Sequence, residues 1–192
     1  MTMKSQIEKA KECFLAKYNP SRSTDVALGL AISVSLQRNP TYSQKHEPLV
    51  REAFRAEWRN MLRTVGLNAS LFHQINEACD LILWFRDEIR HKLADGYLDA
   101  SLSDTTSRVS HAQKSIAVYL KHLWCIGLVR TPVLCPVDRR IMTVSNAPYS
   151  LRSWTSVDEI DLHKDQVRHL LNCAQRSGFS LAEWELLKFQ AV

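Results

Sequence analysis

Glycine is scarce in this chain, with five in 192 residues, and several stand where helices would end. Alternating apolar and polar stretches are scarce too, which leaves little room for a β-sheet. The five cysteines, Cys13, Cys79, Cys125, Cys135 and Cys173, are odd in number, far apart and without a CxxC pair. That argues against a disulfide framework and against a structural zinc or iron–sulfur site, and it suits a reducing compartment. No run approaches the ~18 apolar residues needed to cross a bilayer. The first residues, MTMKSQIEKAKECF, carry charges every few positions instead of an apolar signal core. A cytoplasmic protein with no membrane partner is expected. The net charge of +5 and a pI of about 9.0 are compatible with a polyanionic partner but too small a surplus to establish one.

What is present is helical periodicity almost everywhere. Ile7, Ala10, Phe14 and Tyr18 recur at helical spacing over Ser5 to Tyr18, and Asn19-Pro20 stops the run. Thr24 and Asp25 are candidate caps for a second helix ending at Asn39-Pro40. Glu47 to Val65 repeats Leu49, Ala53, Phe54, Trp58 and Met61, with Gly66 as a left-handed C-terminal residue. Asn68 can cap a long segment to Ala94, followed by Gly96. Ser110 can cap a central helix to Ile126, with Gly127 behind it. Ser156 with Glu159 and Ser180 with Glu183 read as capping boxes for the last two helices, the first of them closed by Gly178. Residues 1–192 are therefore expected to form a single all-α domain, with Tyr97 to Ser107 and Val129 to Pro136 as its long loops.

The segment from His111 to Met142 carries the chemistry. On a helical wheel Lys114, Ser115, Val118, Lys121, His122 and Cys125 share one side of the central helix, opposite Ile116, Tyr119, Leu120, Leu123 and Ile126. The plain reading of that basic stripe is a face turned to water. Lys114 lies in the first turns of the helix, where the macrodipole disfavours a cation. A neutral amine is what nucleophilic or Schiff-base chemistry requires. Downstream, Pro132 and Pro136 break the chain, and Asp138 stands as N-cap before Arg139-Arg140-Ile141-Met142. A plain cap contributes ~1 kcal/mol, and a carboxylate so held can also face a reacting cation.

These residues resemble the helix-hairpin-helix DNA glycosylases. Lys114-Ser115-Ile116-Ala117 looks like the element that carries the family's lysine, and Pro136-Val137-Asp138-Arg139 looks like the one that carries its aspartate. The 24-residue interval is nearest the archaeal 8-oxoguanine glycosylase branch. The likeness covers about 30 residues of this 192-residue chain, and the helical remainder is consistent with it. The hairpin is degenerate. Val109-Ser110-His111 stands where the family has a Gly-hydrophobic-Gly turn, and no glycine lies between Gly96 and Gly127.

The resemblance implies a two-lobed helical bundle that flips and excises a damaged or modified base, with possible lyase activity. Lys114 would be the Schiff-base nucleophile and Asp138 the carboxylate that stabilises the transition state. If Lys114 points away, Asp138 alone could activate water. Duplex DNA with a flipped nucleotide would be the partner, bound by a monomer that needs no cofactor or metal. The expected DNA contacts are Ser110, His111 and Gln113 at the helix N-terminus, itself an anion site, then Lys121, Arg139 and Arg140.

An oxidised purine and a bulky modified base of foreign DNA both stay open as substrates. The tryptophans Trp58, Trp84, Trp124, Trp154 and Trp184 are candidate stacking groups, although Trp58 and Trp84 read first as core and Trp124 lies ~15 Å along the helix from Lys114. Arg130 and Arg152 join Arg139 and Arg140 as candidate phosphate contacts. His111, His122, His163 and His169 show no metal-ligand spacing, and His163 with Asp165 and Arg168 reads as a solvated surface. The competing functions are a non-catalytic helical DNA-binding module and a protein–protein adaptor.

Overall fold

The computed structural model describes residues 2–36, 48–92, 107–153 and 157–190. Within them run eight α-helices: α1 (Met3–Tyr18), α2 (Thr24–Leu36), α3 (Pro48–Leu67), α4 (Ile75–Lys92), α5 (Val109–Ile126), α6 (Arg139–Val144), α7 (Ile160–Arg176) and α8 (Leu181–Gln190). Two 3₁₀ turns, Ala69–Leu71 and Tyr149–Leu151, complete the order, and no strand occurs among the described residues. The protein is all-α. The expected ends at Asn39-Pro40, the segment 93–106, Trp154 and the capping residue Ser156 lie outside the described residues.

The helix α5 is the axis of the fold. It packs against α1, α2, α3, α4 and α7, and nearly all of its side chains are buried. Its tightest neighbour is α2, whose Ala27, Ala31 and Ser35 recur every four residues and form a shallow face that admits a second helix closely. Where the two meet, Ser115 Oγ lies 2.9 Å from Ser35 Oγ and accepts the indole N–H of Trp58 at 3.0 Å. Trp58 is wholly buried between Phe54 and Phe85, so its polar tip has the partner that a buried indole needs.

Helix ends follow local chemistry, though not always at the expected residue. Ser23 caps α2 in place of Thr24, its hydroxyl accepting from the amides of Asp25 and Val26. Glu77, inside the first turn of α4, accepts from His73 and Gln74, while Asn68 precedes only a 3₁₀ turn. Gly127 and Gly178 are left-handed, at φ +91° and +74°. Gly66 is not: it lies within α3, and a Cβ there would come 2.9 Å from Tyr119 Cε1. Its role is close packing of α3 on α5.

Two satellite cores flank the main one. The first joins α6, α7 and α8 through Val137, Ile141, Met142, Leu170 and Trp184. The second joins α1, the end of α5 and α8 through Phe14, Leu15, Trp124 and Leu186. Asp158 binds Arg90 at 2.7 Å and fastens the start of α7 to α4.

Candidate active site

The side chains of Lys114 and Asp138 meet. Lys114 stands in the second turn of α5, and Asp138 is the N-cap of α6 with extended backbone, φ −147° and ψ 175°. The two carboxylate oxygens divide the work. Oδ1 accepts the Ile141 amide at 3.1 Å, and Oδ2 accepts the ammonium of Lys114. The neighbouring residues are joined as well. The Gln113 side-chain amide donates to the Val137 carbonyl at 2.8 Å, and its oxygen accepts the Val137 N–H at 3.1 Å. Burial alone would raise the Asp138 carboxyl. The Lys114 charge and hydrogen bond, the Ile141 amide and the more distant Lys121 charge outweigh it and hold the carboxyl below its usual range.

This pair lies in the wall of a cavity of about 270 Å³ between α1, α2, α5, α6 and α8. Leu30, Val34 and Val118 form its apolar side, and Phe14, Tyr18 and Phe189 its aromatic side. The tilted rings of Phe14 and Tyr18 have centroids 5.2 Å apart, and Tyr18 lies 5.7 Å from Phe189. Lys121, two turns along α5 from Lys114, binds both oxygens of the buried Glu185 at 2.7 and 3.0 Å. Its ammonium sits between the faces of Phe189 and Phe14, 4.2 and 4.7 Å from their centroids. Burial raises the Glu185 carboxyl although Lys121 opposes the shift. Burial, helped by the charge of Lys121, pushes the His122 imidazole down to about 4. His122 is thus neutral near pH 7, with Nδ1 unpartnered among the described residues.

Of the basic stripe on α5, none faces bulk water: Lys114, Lys121 and His122 are 8%, 5% and 2% exposed. The expected DNA contacts divide. Arg139 is exposed at the cavity and Arg140 half-buried beside it, its guanidinium 4.4 Å from the Phe189 centroid. Ser110, His111, Gln113 and Lys121 are interior instead. Arg108, not Ser110, is the N-cap of α5. The Ser110 amide donates to the Val157 carbonyl, and the amides of His111 and Ala112 donate to Arg108. His111 Nδ1 accepts the Arg108 N–H at 3.1 Å. The helix N-terminus is therefore closed by the chain itself, so those amides are not turned toward a phosphate.

Other expectations are redistributed. Arg130 reaches the Ser70 carbonyl and the His73 ring, and Arg152 the Ala147 carbonyl at 2.8 Å. His163 is 1% exposed, whereas Asp165 and Arg168 pair at the surface. Trp84 is exposed, and Trp58, Trp124 and Trp184 are core. None of these four lines the cavity. Phe14, Tyr18, Phe189 and Glu185 do, and their roles went unread because they lie in the first and last helices, where only core periodicity marks them. No protein-family model matches the chain, and neither a curated protein nor a solved structure matches it.

Proposed function

We propose that this chain is a DNA glycosylase with associated lyase activity, acting on a nucleotide flipped out of duplex DNA. One observation carries the reading: the Lys114–Asp138 pair stands in the wall of a cavity of about 270 Å³. That volume falls just short of the ~300–1,000 Å³ of sites for drug-sized ligands, which suits a single base. Flipping is required because the anomeric carbon is out of reach in the stack. Arg139, exposed beside the pair, would hold a phosphate flanking the flipped nucleotide, and Arg140, whose guanidinium donates to the Phe189 carbonyl, would add positive charge there.

The chemistry follows from the two side chains. Transfer of a proton from Lys114 Nζ to Asp138 Oδ2 frees the nitrogen lone pair. That pair bonds to the sugar C1′ while the glycosidic C–N bond breaks, and its electrons leave with the base, which takes up the proton from Asp138 Oδ2. A proton then passes from Nζ to the ring oxygen, which departs from C1′ and leaves a protonated imine on the lysine. Loss of a C2′ proton then expels the 3′ phosphate, and water hydrolyses the imine. Once that proton has gone on to the departing base, Asp138 is again an anion, held by the Ile141 amide, and offsets the positive charge left on the sugar and the attacking nitrogen. The apolar and aromatic walls suit the faces of a base, with oxidised purines and bulky modified bases as the two substrate classes.

Borohydride trapping tests this. Duplexes carrying an abasic site, an oxidised guanine or a bulky modified cytosine are incubated with the protein and with its Lys114→Gln and Asp138→Asn variants. The expected result is a covalent adduct that requires Lys114 and base release that requires Asp138. Base release without an adduct makes the protein a hydrolytic glycosylase. Binding without either product makes it a non-catalytic DNA-binding module, and no DNA affinity at moderate salt makes it an adaptor.

A further inference from the structure

Gln113 and Val137 each immediately precede a member of the reacting pair, and the two residues are themselves joined. Gln113 is 2% exposed and Val137 fully buried. The primary amide of Gln113 meets the Val137 peptide with both of its groups, donating at 2.8 Å and accepting at 3.1 Å. This is the pairing that one strand would offer another, supplied here by a side chain where no strand exists.

We propose that Gln113 is a positioning residue that sets where Asp138 stands relative to Lys114. The inference rests on the glycosylase reading for its catalytic consequence. Asp138 follows a loop bounded by Pro132 and Pro136. Leu134, Cys135 and Val137 there are held by apolar packing, which fixes depth without the directionality of a hydrogen bond. Its own contacts run through its side chain, to the Ile141 amide of α6 and to the Lys114 ammonium, and neither ties the Asp138 backbone to the α5 backbone. The Gln113 clamp does tie the two backbones, one residue before each reacting group. Moving a catalytic group by ~1 Å can cost ~10²-fold in rate.

The clamp needs a donor and an acceptor on one planar group, which a protonated carboxylic acid also has. Gln113→Glu is therefore a conditional variant. As a neutral acid it keeps both hydrogen bonds, and as a carboxylate it loses the one to the Val137 carbonyl. Burial favours the neutral acid well into the mildly acidic range. Gln113→Ala removes the clamp at every pH.

The test combines single-turnover base excision with the titration of Asp138 followed by carboxyl ¹³C NMR. In Gln113→Ala, excision should fall about 10- to 100-fold with DNA affinity within about twofold, and the Asp138 titration should move up toward the ordinary carboxylate range. Gln113→Glu should match the parent at low pH and approach Gln113→Ala as pH rises. If Gln113→Ala does not fold, the pH dependence of Gln113→Glu decides alone. Parental rates and an unmoved Asp138 titration in both variants would overturn the proposal. Should the parent excise nothing, the glycosylase reading fails, and the Asp138 titration still decides whether Gln113 positions it.

Discussion

Lys121 and Glu185 are 64 residues apart in sequence and 2.7 Å apart in the fold, both within the interior. A buried pair of this kind stabilises little in total, because desolvating two charges offsets most of their attraction. Removing one partner is another matter, since it strands the other charge. Lys121→Met and Glu185→Leu should each lower unfolding free energy by about 3–5 kcal/mol, and the double variant should recover most of that loss. Urea denaturation of the four proteins checks it. Additive losses in the double variant would show that the two positions act through packing instead of through their charges.

The buried histidines predict acid lability. His122 and His163 are both held down to about 4 by burial, below an ordinary value of 6.5. Between those values the unfolded chain binds protons that the folded chain does not, so stability falls as pH drops from about 6.5 to about 4. At ~1.4 kcal/mol per unit of difference, each histidine withdraws about 3 kcal/mol across that window. Asp138, held low, withdraws its contribution only as pH falls further through its folded value. Glu185 acts in the opposite sense, because its raised carboxyl takes up a proton in the folded state first. Denaturation at pH 7.5, 5.5 and 4.5 should show a fall that His163→Gln flattens by about half. An unchanged slope in that variant would remove His163 as a cause.

The all-α fold was legible because helical periodicity and turn residues agree along the chain. Phe14, Trp58 and Leu123 are buried where their spacing puts them. The two members of the Lys114–Asp138 pair were legible for a different reason, since a lysine in an early turn and a capping aspartate each carry a local signature. The cavity was not. Its aromatic side comes from α1 and α8, and nothing local says that Phe14 and Phe189 lie 6.3 Å apart. The basic stripe misled for the same reason, because the partner of Lys121 is Glu185 on α8. Gly66 was misread because a glycine near a helix end looks alike whether it frees the backbone or makes room for a neighbour.

Gly66 offers a test of that distinction. Alanine in a helix is worth up to ~1 kcal/mol over glycine, yet a Cβ here would lie 2.9 Å from Tyr119 Cε1 and 3.1 Å from Leu123 Cδ1. Gly66→Ala should therefore destabilise by about 1–3 kcal/mol through overpacking. In a Tyr119→Ala background the same change should stabilise. Thermal or chemical unfolding of this two-by-two set decides it, and stabilisation in both backgrounds would mean that Tyr119 yields freely.

Asp138 combines a capping role with a proposed chemical one, and substitution can separate them. Asparagine caps as well as aspartate, so Asp138→Asn should keep the contact to the Ile141 amide while losing the negative charge beside Lys114. Asp138→Ala loses both, and should be less stable than Asp138→Asn by about 1 kcal/mol, the worth of the cap. Under the proposed function, excision should follow the charge and not the cap. Both variants should lose base release by at least about 10²-fold, the usual scale when a group that stabilises a transition-state charge is removed. If Asp138→Asn excises at the parental rate while Asp138→Ala does not, the residue matters only as a cap. The carboxylate would then have no part in the reaction, and Lys114 would need another proton acceptor near the cavity. Glu185 is the carboxylate in that cavity already occupied by Lys121. Its exchange for glutamine in the Asp138→Asn background would show whether it had taken over.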